Sequence, residues 1–487
     1  MSINRRQFVQ GSAALGAATG LSLVTSARSY ANVMGSNNKL QMAVIGFASR
    51  GRALIGAVNS TEDARLIALC DADSNILADY KPDDQELFRT DDFREILSRD
   101  DIDAVASATP NHWHALLTIL ACQAGKHVYI EKPISHNMME SRAIVKVARE
   151  TDRIVQCGFQ NRSDSGCTSF FEKLREGHYG TVTSVHGTCH RERESIGKLD
   201  EPLELPDHIN YELWLGPARD EPLMRPGFHY DWHWDFNTGN GDVGNQGPHE
   251  WDMMNWALGD PEALPTRMVS AGNRFGWQDA GNTPNIMACA GELNGIPFCF
   301  EVMDLKGGRG APFGRGVGVI VETDKGRFVG GRGSGQFTWH DGREDAFSRD
   351  ESQDGQDGLN AHMINFVEGA LAGDRSNLRS ECAVAANSSS MAHMANISYQ
   401  LGQAAEVDEL EAAFSDDVRQ RDMLARLRES TMLYAVANGG ELPAESWILG
   451  PALEFDNDRQ QFIGENASSA NAKTTREYRD GFEVPAN

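Results

Sequence analysis

From residue 40 onward, short apolar runs alternate with stretches of helical spacing. Leu40–Ile45 is a buried-type run that stops at Gly46, and residues 53–59 continue with helical periodicity. Residues 66–70 form a second apolar run, closed by the acidic turn Asp71-Ala72-Asp73. A helix over 92–98 follows, then a strand over 104–108 ending at Thr109-Pro110, a helix over 113–123 and a strand at His127–Ile130. Met138–Glu150 reads as a helix and 154–159 as the next strand. Strands alternating with helices predict parallel βαβ units, covered on both faces.

After residue 162 the pattern changes. Residues 166–176 are helical, but Val182–His190, Arg267–Asn273, Ile286–Leu293, 298–303, Val317–Thr323 and 327–329 read as strands without intervening helices. They predict a large, mainly antiparallel open sheet. An aromatic-rich loop fills 211–240, and the glycine-rich stretches 307–318 and 330–335 are expected to be mobile loops. Helices are expected over 361–372 and 383–401, the second rich in Ala, Ser and Met and suited to close packing. Residues 403–487 read as a polar helical extension with an irregular tail, and no internal repeat is evident. The resulting α/β division is a leader at 1–31, a parallel domain at 38–162, a second α/β domain at 163–402 and the extension at 403–487.

At 487 residues the chain exceeds the roughly 250–300 residues at which a single core stops growing, which agrees with more than one domain. Its formal charge of −25 argues against nucleic acid and anionic membranes as partners and favours neutral or cationic small molecules. Arg5 and Arg6 precede a weakly apolar, Gly/Ala-rich stretch from Gly11 to Val24, too short and glycine-rich to anchor in a bilayer. This pattern is similar to a twin-arginine export signal, which implies the twin-arginine machinery as a partner and a periplasmic destination. Small residues at Ala27 and Ala31 offer alternative cleavage sites; cleavage after Ala31 removes Arg5, Arg6 and Arg28 and takes the charge to −28. No cysteine follows the apolar stretch, so no lipid anchor is expected. The eight cysteines form no C-x-x-C pair and read as buried thiols.

Gly46-Phe47-Ala48-Ser49-Arg50-Gly51 joins the first strand to the first helix. A dinucleotide turn needs one glycine for the tight bend and another for close helix–strand packing, here Gly46 and Gly51; Ala48 takes the middle place, which requires a negative φ there. Backbone N–H groups at the helix start suit a pyrophosphate, and Arg50 adds positive charge. Asp71, at the end of the second strand, suits the ribose hydroxyls and disfavours a 2′-phosphate, so NAD is expected over NADP; Asp73 is the competing residue. These features predict a Rossmann domain.

Glu131-Lys132-Pro133 follows the strand His127–Ile130, and Thr109, Pro110, Asn111 and His114 follow the preceding one. Both lie at carboxyl ends of parallel strands, where ligands bind. Together, residues 44–51, 108–114, 129–135, 157–162 and Gly241-Asp242-Val243-Gly244-Asn245-Gln246-Gly247-Pro248-His249-Glu250-Trp251-Asp252 make the chain resemble the glucose–fructose oxidoreductase / inositol dehydrogenase / MocA family over about residues 38–400. The resemblance implies that Lys132 lies beside the reacting hydroxyl and that His249 is the general base. It also places Gln160 near the nicotinamide, Arg162 near the substrate and His114 at a position lining the site. Many dehydrogenases of the family carry Asp where this chain has Asn245. Either His249 works without a carboxylate, or Asp242 or Asp252 takes over, or the chemistry has shifted. Independently, alcohol oxidation needs a base of near-neutral pKa, and a lysine near a cationic ring loses affinity for its proton.

Tyr230, Trp232 and His233, within an aromatic cluster, favour a carbohydrate or polyol substrate, because rings stack on sugar faces. No Cys/His/carboxylate spacing points to a catalytic metal. The expected activity is NAD-dependent oxidation of a secondary hydroxyl of a sugar, sugar derivative or polyol. The alternative is an NAD-using glycosidase or lyase that passes through a transient keto-sugar without net redox. A third possibility is a sugar-binding protein on the same fold, whose sign would be loss of Lys132 or His249. Export implies a tightly held cofactor, and the resemblance implies a dimer or tetramer formed through the open sheet face.

Overall fold

Short apolar strands flanked by helices have to be covered on both faces, and a parallel sheet satisfies that requirement. The computed structural model describes residues 39–81, 86–349, 358–415, 417–440 and 447–485, so the expected leader lies outside the described residues. Its first sheet contains β1 (Leu40–Ile45), β2 (Ala64–Cys70), β3 (Phe88–Thr90), β4 (Ala104–Ser107), β5 (His127–Ile130) and β6 (Val155–Cys157). All pairs are parallel, in the order β3-β2-β1-β4-β5-β6. The order reverses between β1 and β4, which opens a crevice at their carboxyl ends.

The connecting helices are α1 (Arg50–Asn59), α2 (Ser74–Asp79), α3 (Phe93–Ser98), α4 (Asn111–Gln123) and α5 (Met138–Glu150). Alternate residues of β1 serve opposite faces: Met42 and Val44 join one core, Ala43 and Ile45 the other. Each core also takes residues from far along the chain. Met363, Phe366 and Val367 of a helix at Leu359–Ala372 cover the first face; Cys382 and Ala385 of a helix at Cys382–Gln400 cover the second.

The second sheet has twelve strands: β7 (Val182–His190), β8 (Arg267–Asn273), β9 (Ile286–Leu293), β10 (Ile296–Met303), β11 (Val317–Thr323), β12 (Gly326–Gly331), β13 (Ser334–Trp339), β14 (Glu344–Ser348), β15 (Gln403–Ala405), β16 (Trp447–Leu449), β17 (Leu453–Asp456) and β18 (Gln461–Ile463). Only the β7–β10 pair is parallel. One face carries an aromatic core in which Trp251 stacks on Phe300 at 4.0 Å and Phe170 on Phe328 at 3.7 Å.

Three expectations change. Residues 403–487 supply β15 to β18 to this same sheet, so the expected boundary at 402/403 falls inside one sheet; strands of three or four residues carry too little periodicity to read. Their helix Val418–Ala437 places Met423, Leu424 and Leu427 against Val269, Ala288 and Met303, covering part of the face expected to be open for association. Residues 330–335, expected as a mobile loop, form the turn of the β12–β13 hairpin, where a Cβ on Gly330 or Gly335 would lie 2.2 or 2.4 Å from the Phe328 ring. All eight cysteines are free and buried. No helix among the described residues is long and apolar enough to cross a membrane.

Candidate active site

The crevice beside β1 and β4 holds a cavity of about 490 Å³ that runs from Asp71 past Gly46 and Lys132 to Tyr230 and Trp232. Its floor is the glycine turn. Gly46 has φ +74°, and a Cβ there would sit 2.9 Å from the Thr109 backbone nitrogen. A Cβ on Gly51 would lie 2.1 Å from the Gly46 carbonyl oxygen, so helix and strand close only around a hydrogen. Ala48 is not among the positive-φ residues, and it lines the cavity with Ser49 and Arg50. Ser49 caps α1 without a side-chain hydrogen bond, leaving the helix's first N–H groups to a ligand.

Asp71 accepts the Phe47 N–H at 2.8 Å and the Asp73 N–H at 3.0 Å, which ties the turn to the end of β2. The Phe47 side chain is fully buried, so only its backbone serves the turn. Asp73 is otherwise engaged: it caps α2 through Asn75 and meets His229 Nε2 at 2.9 Å. Of the two candidates, Asp71 is the one that lines the cavity. A glycine cradle, an uncapped helix start and an acidic residue at the end of β2 fit a dinucleotide.

Lys132 stands where β5 ends. Its Nζ donates to the Asn245 carbonyl at 2.6 Å, across to the second domain. Burial lowers its pKa, while Glu131 beside it pulls in the opposite direction. Glu131 is itself held by Arg50 Nε at 2.8 Å and Gln160 Nε2 at 2.9 Å. The Gln160 amide also donates to the Tyr129 hydroxyl, so this residue braces Glu131 and does not line the cavity. The His114 ring lies between the carbonyls of Pro133 (2.5 Å) and Thr109 (2.8 Å), which ties together the turns that follow β4 and β5. Thr109, Pro110 and Asn111 complete that wall.

The opposite wall comes from Asn245, which ends α6 (Gly241–Asn245), and from Gln246; the helix that follows, α7 (Pro248–Ala257), lies behind them and contributes no lining residue, His249 included. Asn245 donates its side-chain amide to Asp242 Oδ1 at 3.2 Å, which leaves its side-chain Oδ1 as an acceptor, distinct from the main-chain oxygen that Lys132 meets. Burial would raise the Asp242 pKa, but the Arg193 guanidinium, at 2.8 and 3.1 Å, holds it at about 2. His249, four residues beyond Asn245, is buried with Nδ1 unpartnered. Burial, and then the Lys132 ammonium, hold it well below the usual histidine range, so it is a neutral base. Asp252 does not stand in for a missing carboxylate, because Arg162 and Ser388 occupy it.

Two residues expected at the substrate lie elsewhere. Arg162 is buried between Asp252 at 2.7 Å and Asp260 at 2.6 Å, a structural ion network that draws its guanidinium away from the cavity. His233 is buried, with Nδ1 against the Tyr230 carbonyl at 2.6 Å and Nε2 3.9 Å from Asp242. Tyr230 and Trp232 do line the cavity, joined by Arg191, Arg193 and Gln246, which the sequence reading did not select. The charge alternation Arg191-Glu192-Arg193-Glu194, directly after β7, was the available signal. Among the described residues no group of three or more His, Cys, Asp or Glu is arranged to hold a metal.

Parts of the chain are similar to known proteins. Residues 40–159 match the family described as "Oxidoreductase family, NAD-binding Rossmann fold", and residues 2–22 match the twin-arginine translocation pathway signal. "Glycosyl hydrolase family 109 protein 2" of Shewanella sp. (strain ANA-3) is 31% identical over 172 residues, covering 31% of this chain and 38% of that protein. Levoglucosan dehydrogenase of Pseudarthrobacter phenanthrenivorans is 34% identical over 99 residues, 20% of this chain and 25% of that protein. The chain therefore spans well under two thirds of the length of these relatives. A solved levoglucosan dehydrogenase in complex with NADH and levoglucosan shares the fold, with a TM-score of 0.56 at 18% identity, covering 73% of this chain and 95% of that one. Residues 40–159 of this chain are accordingly an NAD-binding Rossmann domain of the Gfo/Idh/MocA oxidoreductase family.

Proposed function

We propose that the protein is an exported, periplasmic NAD-dependent oxidoreductase acting on a secondary hydroxyl of a sugar, sugar derivative or polyol. The observation that carries this reading is the contact between Lys132 and Asn245 at the end of the dinucleotide cavity, with neutral His249 on the adjoining helix. Gly46, Ala48, Ser49, Arg50 and Gly51 would hold the pyrophosphate and Asp71 the ribose, whose hydroxyls it prefers over a 2′-phosphate. Bound NAD supplies a hydride acceptor. The Asn245 side-chain carbonyl accepts the substrate hydroxyl and orients it, and the Lys132 ammonium steadies the oxygen as negative charge develops. His249 would take the hydroxyl proton: its imidazole is unprotonated at pH 7, and the negative charge developing on the substrate oxygen supplies the proton affinity that burial and Lys132 remove from the resting ring. Tyr230 and Trp232 supply ring faces for the sugar.

A second reading, redox-neutral cleavage of a glycoside through a transient keto-sugar, draws support from the 31% identity to a glycosyl hydrolase family 109 protein. Both readings use the same residues. Export favours a tightly held nucleotide, since the cofactor must cross the membrane with the folded chain.

The deciding experiment purifies the mature protein, identifies the nucleotide it releases, and offers it sugars and aryl glycosides. Reduced nucleotide or keto-sugar supports oxidation, and cleavage with unchanged nucleotide supports the second reading. A protein that binds no nicotinamide dinucleotide would remove both.

A further inference from the structure

We propose that the sugar end of the cavity takes an anionic group, a carboxylate or phosphate carried by the substrate, on Arg191 beside the Arg193–Tyr230 pair. This rests on the oxidoreductase reading above and specifies its substrate class.

Beyond β7 the chain keeps its hydrogen bonding to the segment at the end of β10. Arg191 N–H donates to the Met303 carbonyl at 3.1 Å and Arg193 N–H to the Asp304 carbonyl at 2.9 Å. Both arginines line the cavity, whereas Glu194 forms an ion pair with Lys306.

The neighbouring cations are already engaged. Arg193 is bidentate to Asp242 and donates to the Tyr230 hydroxyl at 3.1 Å. Arg50 is paired with Glu131, and Lys132 meets the Asn245 carbonyl. Arg191 is exposed, and among the described residues its guanidinium has no hydrogen-bond or ion-pair partner.

The carboxylates that share the cavity are committed as well. Asp71 accepts two backbone N–H groups, Asp91 accepts the Asn210 amide at 2.9 Å, and Glu131 holds Arg50. At the sugar end Lys132 and Arg193 are opposed by buried carboxylates, Glu131, Asp242 and Glu250 about the lysine and Asp242 and Asp304 about Arg193, which leaves Arg191 as the lining cation with no carboxylate paired to it among the described residues.

The overall charge of −25 favours neutral or cationic substrates, and Arg191 is opposite in sign. Screening confines the general repulsion to about 8 Å at physiological salt, so cations in direct contact decide. A neutral polyol leaves the Arg191 fork without a counter-charge, while a carboxylate or phosphate matches it in geometry and sign.

The test titrates the mature, nucleotide-bound protein calorimetrically with a hexuronate, the matching hexose and the hexose 6-phosphate, and follows turnover of each. One anionic sugar is expected to bind at least about tenfold more tightly than the neutral one, and the better anion identifies the group. In Arg191→Gln that preference should fall at least about fivefold, with part of it retained in Arg191→Lys. Equal affinity for charged and neutral sugars, or a preference undiminished in R191Q, overturns the subsite. Anion-selective binding without oxidation or cleavage leaves the subsite standing and overturns the oxidoreductase reading; binding of none of the three overturns both.

Discussion

Lys132 Nζ and the Asn245 main-chain carbonyl oxygen meet at 2.6 Å, although one residue lies in the turn after a strand of the first sheet and the other ends a short helix of the second domain. The lysine is therefore positioned by the docking of the two domains as well as by its own turn. Glu131 beneath it and Asp242 behind Asn245 are each neutralised by an arginine, so the ammonium is held by a carbonyl and left available to a substrate oxygen.

Lys132→Met keeps an unbranched side chain one atom shorter and removes the charge and the cross-domain bond. Turnover is expected to fall by about 10²–10⁴-fold, the usual contribution of a positioned proton-transfer or charge-stabilising group. Arg50 remains paired with Glu131, so nucleotide content should be nearly unchanged. Single-turnover kinetics together with nucleotide quantification separate the two effects, and a variant at wild-type rate would take Lys132 out of the chemistry.

Asn245→Asp introduces a carboxylate where many relatives in the family are expected to have one, yet it should not improve this enzyme. Asp242 already receives the Asn245 amide at 3.2 Å, so the change replaces a hydrogen bond with two like charges. One must take up a proton, and the loss of stability is expected to be about 1–3 kcal/mol. Because the cost depends on ionisation, the drop in Tm should be larger at pH 8 than at pH 5. An Asn245→Asp protein that is equally stable and more active would mean that Asp242 does not serve this position.

Much of this was legible because it depends on local pattern. The glycine turn, Asp71 and Lys132 sit at strand ends where short motifs carry steric meaning, and strands of seven to nine residues such as β7, β9 and β11 show their periodicity. What escaped depends on distant partners. Arg162 looked like a substrate residue because its sequence context said nothing of Asp252 and Asp260, some 90 residues away. Likewise, nothing near residue 363 reveals that its helix covers β1, and three-residue strands such as β15 and β16 exist only because a sheet edge is there to accept them.

Stability should peak near pH 6.5. Burial holds His112 and His393 at about 3, and His186, His233 and His362 at about 4. Below pH 6.5 the unfolded chain takes up protons that these folded histidines refuse, so stability falls on acidification by about 1.4 kcal/mol per pH unit for each such group. Glu250 acts in the other direction: burial pushes it to about 8, so the folded chain keeps a proton that the unfolded chain releases above its ordinary value of 4.5. Its contribution declines as pH rises towards 8, in the same direction as that of Asp304, which burial also holds well above the usual carboxylate range. Calorimetric Tm from pH 4.5 to 9 should trace a steep acid limb and a shallow alkaline one, the latter flattened in Glu250→Gln. A Tm that rises between pH 6.5 and 5 would contradict the buried neutral histidines.

The C-terminal tail should prove necessary for the stability of the first domain, through Glu140. This carboxylate is fully buried in α5 and accepts the His136 N–H at 2.8 Å, the Asn137 amide at 2.9 Å and the Tyr478 hydroxyl at 3.1 Å. The nearest ion-pair partner is Arg476, with Nε at 3.8 Å, and beyond it Phe482 packs edge-on against Trp113 at 5.7 Å. Removing one member of a buried pair leaves the other uncompensated, at a cost of about 3–5 kcal/mol, whereas replacing both by neutral groups of similar shape costs much less. Arg476→Met should therefore lower the stability sharply, and Glu140→Gln in that background should restore a good part of it. Chemical denaturation of the wild type, both single variants and the double variant measures the coupling. If Arg476→Met alone is neutral, or the second substitution only adds to the loss, the tail is not held by charge and its grip on the domain comes from its apolar packing and its neutral hydrogen bonds, such as the Met139 N–H to the Thr474 carbonyl.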